Sequence, residues 1–187
     1  FKNIHFSYNK SQEVLKNISF DLKAGTTTAI VGATGAGKST IINLINRFYE
    51  INSGDILIDG VNIKEFTLSS LRDQIGFVSQ DVHLFSDTIL YNIALNNRNI
   101  SFDQIKMASV KIGIHDFIMS LPNGYNYNVR ERGIMLSTGQ RQLISFLRAY
   151  VTDPKILILD EATSSIDTDS EILIQKAIEK MTDDRTS

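Results

Sequence analysis

The chain of 187 residues sets 19 Lys and Arg against 21 Asp and Glu, a formal net charge of −2. No basic block marks a nucleic-acid footprint, and the absence of cysteine excludes disulfides and Cys-based zinc sites. No apolar run approaches the roughly 20 residues of a membrane helix, and a 42% hydrophobic content suits one globular domain with a real core.

In chain order, strands are predicted at 4–8, 18–22 and 26–31, with turn-like segments at 9–12 and 23–25. The stretch 26–31 is apolar and β-branched and reads as a buried strand. Gly32-Ala33-Thr34-Gly35-Ala36-Gly37-Lys38-Ser39-Thr40 follows, fitting the phosphate-loop pattern G-x-x-x-x-G-K-[ST]. Ile41, Leu44, Ile45 and Phe48 then recur at helical spacing, predicting a helix over 40–49. Strand, glycine loop and helix is the arrangement phosphate chemistry needs. Glycines let successive N–H groups turn toward an anion. The helix start adds its positive dipole end. The candidate phosphate contacts are Gly32, Thr34, Gly35, Ala36, Gly37, Lys38, Ser39 and Thr40. Lys38 neutralises β/γ-phosphate charge, and the Ser39 hydroxyl is a candidate Mg²⁺ ligand.

Asn52-Ser53-Gly54 signals a turn. A short strand is predicted at 55–59, a short helix at 69–74 and an apolar strand at 75–79, followed by Gln80. From 81 to 150 helical periodicity takes over. Ser101 is a candidate N-cap, with Ile105, Ala108 and Ile112 on one face. Asn123-Gly124 breaks the pattern. Ser137 caps a helix to about 151 whose stripe is Leu143, Phe146, Leu147 and Tyr150. The apolar run 156–159 ends in Asp160-Glu161 and reads as a central parallel strand. Ligands collect at the carboxyl ends of such strands. Two acids there could merely end a strand and cap a helix. Beside a glycine loop, Asp160 reads as facing Mg²⁺ and Glu161 as orienting or deprotonating a water. A last helix is predicted at 170–181.

Leu136-Ser137-Thr138-Gly139-Gln140, upstream of Asp160-Glu161, resembles the signature motif of ABC ATPases. Phosphate loop, Gln80 after a strand, signature, acid pair and Ser164-Ser165-Ile166-Asp167 stand in that family's order over essentially the whole chain. Residues 80–89 and Glu131-Arg132-Gly133 resemble the exporter branch. Tyr8 matches the aromatic that stacks on adenine, to which a tyrosine face offers a flat apolar contact.

The resemblance implies an α/β fold: a P-loop NTPase core with an N-terminal antiparallel β part and a helical subdomain inserted between the Gln80 loop and the strand of the second acid. One domain would span 1–187, with core 1–80 and 151–187 and helical part 81–150. It implies ATP and Mg²⁺ as cofactors. Glu161, Gln80 and Lys38 would be catalytic, and Ser39, Gln80 and Asp160 would bind the metal. Tyr8, the phosphate loop, Ser137, Gly139 and Gln140 would bind nucleotide, the signature acting on the ATP of a second protomer. Implied partners are a transmembrane domain, met through 81–92 and 131–133, and a second nucleotide-binding domain, identical or not. No nucleic acid is expected. The activity implied is ATP hydrolysis driving export, on the cytoplasmic side of the cell membrane.

A soluble ABC ATPase acting on nucleic acid or ribosomes is the alternative, opposed by the neutral charge and single cassette. P-loop kinases and GTPases lack a signature helix between glycine loop and acid pair, and the guanine-specific Asn-Lys-x-Asp is absent. The chain departs from the pattern at Thr138, usually glycine, and at Arg130, often glycine in exporters. The family's later strand, ending in a histidine, would begin where Asp184-Arg185-Thr186-Ser187 ends the chain. His5, His83 and His115 lie elsewhere. The chain is therefore expected to be a truncated piece of a longer polypeptide, binding nucleotide with little hydrolysis.

Overall fold

The computed structural model describes residues 1–9, 12–160 and 168–187. Strand β1 (Lys2–Phe6) lies between β2 (Leu15–Ile18) and β3 (Ser53–Asp55), antiparallel to both. From Asn3 to Phe6 it alternates as a half-buried strand does, Ile4 and Phe6 inward and Asn3 and His5 not, while Lys2 falls out of the pattern across Asn3 at φ 51°. A hairpin of β4 (Leu57–Ile58) and β5 (Val61–Asn62) turns at Asp59-Gly60, both at positive φ (49° and 82°). That backbone twist suits a two-residue hairpin loop.

The third sheet pairs β6 (Ile75–Val78) in parallel with β7 (Ile156–Leu159), in the register Ile75↔Ile156 to Val78↔Leu159. Parallel strands need a long crossover, and here it is helical. Helices α3 (Ile89–Ala94), α4 (Phe102–Ile112), α5 (His115–Ser120) and α6 (Thr138–Tyr150) fill it, and α7 (Thr168–Thr182) packs on α6 and α4. Helices α1 (Lys38–Ile45) and α2 (Leu68–Asp73) precede the crossover.

Two apolar clusters divide the molecule, one on each face of the β6–β7 pair. Val78, Leu157 and Leu159 join α3, α4, α6 and α7 through Ile93, Ile105, Leu143, Phe146 and Ile174. Ile75, Phe77, Ile156 and Ile158 join β1, β2 and α1 through Ile4, Leu15, Ile41 and Leu44. A strand buried on both faces has no polar side, which is why 156–159 is apolar throughout. In the helical part Tyr125 Oη lies 2.5 Å from Ser109 Oγ and 2.8 Å from His115 Nδ1, pinning α4, α5 and the turn at 124–126 together.

The expected strand at 26–31 is not formed. Thr28 N–H donates to Ser187 O (2.8 Å) and Ser187 N–H to Thr26 O (3.1 Å), while Thr186 bridges Ile156 in parallel. Residues 29–31 meet no ladder partner among the described residues, and Val31 is 87% exposed. β-branched composition sets a preference, but a strand exists only against a neighbour. The helix expected at 40–49 also ends early. Asn46 turns its amide back to Ile42 O (3.0 Å), Arg47 takes φ 48°, and Phe48 and Tyr49 leave the helix half-exposed. The strand expected at 18–22 lies at β2, shifted toward the N-terminus, and that at 55–59 is divided between β3 and β4. Among the described residues no helix is long and apolar enough to cross a membrane.

Candidate nucleotide-binding site

Gly37 is the N-cap of α1 and gives it no side-chain cap, and no acid stands in the first turn. The first N–H groups of this helix are thus left for an anion. Gly37 has φ 93°, and a Cβ there would come within 2.8 Å of a Leu15 methyl. Only glycine gives both the left-handed turn and the close approach to β2. Residues 32–36 and Ser39 are exposed, and Thr40 is buried beneath them. Lys38 Nζ donates to Gly32 O (2.9 Å) and Ala33 O (3.2 Å), folding the loop around its own ammonium.

Tyr8 follows β1 and is 48% exposed. Its hydroxyl reaches Thr40 Oγ1 (3.1 Å) and Asn43 Nδ2 (3.4 Å), and its ring meets Phe6 and Tyr49 edge-on, each at 4.9 Å. The phenol is therefore tied to the first turns of α1, beside the glycine loop.

Gln80 and Asp160 follow β6 and β7, and the parallel register brings both to the carboxyl edge of that pair. Asp160 N–H continues the ladder to Val78 O (2.9 Å). Glu161 and Ser164-Ser165-Ile166-Asp167 lie outside the described residues.

Ser137 caps α6 reciprocally: its Oγ accepts from Gln140 N (3.2 Å), and Gln140 Oε1 accepts from Ser137 N (3.0 Å). Ser137 and Thr138 are exposed and Gly139 is buried. Next to this tip Ile134 and Met135 are exposed at 75% and 56%. Since α6 belongs to one apolar cluster and α1 to the other, the signature tip and the glycine loop are carried on opposite faces of β6–β7.

A cavity of about 530 Å³ opens between the segment after β6 and the turn Glu131–Gly133, lined by Gln80, Asp81, His83, Glu131, Arg132 and Arg141 among others. It joins the segments 81–92 and 131–133 that the sequence singles out together. Asn92 and Arg148 escape sequence reasoning, yet they hold this wall. Arg148 on α6 donates to Asn92 O (2.7 Å) and His83 O (3.2 Å), while the buried Asn92 amide bonds Phe85 N, Phe85 O and Thr88 O. Burial pushes the Arg148 guanidinium below its ordinary pKa. No local spacing marks this brace, because its partners lie 56 and 65 residues apart in the chain.

The family model described as ABC transporter matches residues 15–164. An uncharacterized ABC transporter ATP-binding protein of Bacillus subtilis (strain 168) is 49% identical over 187 residues, 100% of this chain and 31% of that protein. A putative multidrug export ATP-binding/permease protein of Staphylococcus aureus (strain NCTC 8325 / PS 47) is 49% identical over 185 residues, 98% of this chain and 32% of that protein. A solved bacterial Atm1-family ABC exporter with ATP bound superposes with a TM-score of 0.90 at 44% identity, over 100% of this chain and 32% of the other. The chain thus spans about a third of the length of the relatives it matches. With the glycine loop, the capped signature helix and both parallel strands inside the matched stretch, the chain belongs to the ABC transporter family.

Proposed function

We propose that the chain is the ATP-binding and ATP-hydrolysing domain of an exporter, working as one of a pair. The observation that carries this is the uncapped start of α1 with Lys38 inside its glycine loop. ATP with Mg²⁺, when bound, supplies the phosphoanhydride bond to be cleaved. The donor set fits it: free helix N–H groups, one ammonium, the exposed Ser39 hydroxyl, and the Gln80 amide and Asp160 carboxylate at one strand edge. Lys38 gives up Gly32 O and Ala33 O to reach the β/γ-phosphates, Ser39, Asp160 and Gln80 hold the metal, and Glu161 takes a proton from the attacking water. The Tyr8 face receives adenine.

Ser137, Gly139 and Gln140 act on the nucleotide of the mate. Their separation from the glycine loop, across β6–β7, supports a site built from two chains. A triphosphate then bridges the protomers and a diphosphate does not, so hydrolysis separates them. The cavity at 81–92 and 131–133 takes the transmembrane domain, on the cytoplasmic side of the membrane. The permease named in the S. aureus relative supports this placement, and a net charge of −2 opposes the nucleic-acid alternative. The domain spans 1–187, with 81–150 as its helical part. The chain by itself binds nucleotide with little turnover.

The deciding experiment is ATP turnover by the full-length protein in lipid against that of residues 1–187. Turnover by the former, with binding but little turnover by the latter, is expected. A full-length protein that neither binds nor hydrolyses ATP overturns the function, and robust steady-state hydrolysis by 1–187 overturns the fragment reading.

A further inference from the structure

Arg141 lies in the first turn of α6 and forms part of the cavity wall beside Gln80, Glu131 and Arg132. Its guanidinium binds the chain on both sides of Ser137. Nη1 donates to Leu136 O at 2.8 Å and Nη2 to Thr138 Oγ1 at 3.0 Å. Its aliphatic stem lies against Gly133, the last residue of the Glu131–Gly133 turn. A Cβ on Gly133 would meet Arg141 Cδ at 3.1 Å and Leu84 Cδ1 at 2.8 Å, and the residue takes φ 70°. Glycine is needed for both reasons. One continuous set of contacts therefore runs from the 131–133 turn and Leu84, through Arg141, to the two residues flanking Ser137.

The chemistry of the link is directional. A planar guanidinium with two bonds fixes an orientation that a single ammonium bond does not. The Ser137–Gln140 capping box ties the tip to its own helix. The Arg141 fork ties it to the cavity wall.

We infer that Arg141 is a positioning residue for the signature tip, and that the Thr138 hydroxyl completes its grip. A segment seated in the cavity displaces the Arg141 stem and with it the direction in which Ser137 faces. This rests on the proposed two-chain ATP site and adds the route by which the docking cavity reaches it. The inference also gives a use to the hydroxyl at 138, which Ser can replace and Val cannot.

The test uses the full-length transporter in lipid nanodiscs, with steady-state hydrolysis measured against ATP concentration. Thr138→Val is expected to raise KM for ATP about threefold to tenfold, the worth of one exposed bond to a charged donor, with kcat within about twofold. Thr138→Ser restores KM, and Arg141→Lys raises it. Arg132→Ala on the cavity wall, combined with Thr138→Val, raises KM by less than the product of the two single effects, because both act through Arg141. A wild-type KM in Thr138→Val, or strictly multiplicative effects in the double variant, overturns the link. So does a lowered melting temperature with unchanged KM, which would mark a merely structural hydroxyl. If wild-type transporter shows no hydrolysis at all, the proposed function fails and takes the link with it. Normal wild-type turnover with an indifferent Thr138→Val overturns the link alone.

Discussion

Leu157 and Ile158 are consecutive in β7 and bury in different apolar clusters, Leu157 with the helical part around α6 and Ile158 with β1, β2 and α1. Each is almost inaccessible, at 1% and 9% exposure. The strand is thus the wall shared by the nucleotide-loop side and the signature side. Truncating either residue leaves a cavity that rigid neighbours on both sides cannot fill. Leu157→Ala and Ile158→Ala are each expected to cost about 2–5 kcal/mol, read by urea denaturation with an unchanged slope. A cost under 1 kcal/mol at either position would contradict the packing described.

Lys38 holds its own loop closed through Gly32 O and Ala33 O. Nucleotide must draw it away from two carbonyl partners, exchanging neutral acceptors for charged ones. Lys38→Ala is expected to weaken ATP binding by about tenfold or more. The fold should survive, because Lys38 packs in neither apolar cluster. Titration calorimetry with ATP checks the first expectation and circular dichroism the second.

Glu161→Gln in the full-length protein should keep ATP binding and stop proton removal from the water. An ATP-loaded, undissociated pair is the expected product, visible by size-exclusion chromatography with ATP present. Unchanged turnover would remove Glu161 from the role of base.

Arg148 is the brace between α6 and the 83–92 segment. Arg148→Met keeps much of the stem but leaves Asn92 O and His83 O without their donor. A loss of about 2–3 kcal/mol is expected, together with faster amide exchange over 83–92. Protection unchanged in that segment would place the brace elsewhere.

Tyr125 is buried, and desolvation raises its phenol above the ordinary value of 10.0, with the Ser109 bond pulling the other way. A group harder to ionise when folded stabilises the fold below its unfolded pKa, and that stabilisation is lost as pH climbs past it. Stability should therefore fall as pH rises above about 10, and Tyr125→Phe should flatten that fall. Thermal melts at a series of alkaline pH values read the difference.

Local signals carried far in this chain. The glycine pattern from Gly32 to Gly37 marks the start of α1, where Gly37 takes a left-handed turn that only glycine accepts beside Leu15. Ser101 and Ser137 each cap a helix with a reciprocal Gln three residues on, as side-chain hydrogen bonding dictates. The apolar run 156–159 betrays a strand covered on both faces. Where the reading failed, the missing quantity was a neighbour. Residues 26–31 carry strand composition, but among the described residues only Thr26 and Thr28 make backbone hydrogen bonds there. Phe48 keeps helical spacing, yet the chain leaves the helix at Asn46, whose side chain takes a helix carbonyl.

What the sequence determined alone is the inventory: where a glycine loop opens a helix, and which residues cap a helix or end a central strand. These depend on contacts a few residues long. Tertiary structure alone decided that the glycine loop and the signature tip ride on opposite faces of one strand pair, and that Arg148 fastens the distant 83–92 segment to α6. Such facts follow from which distant surfaces exclude water together. Pairing of that kind leaves no fixed spacing in the chain for a reader to find.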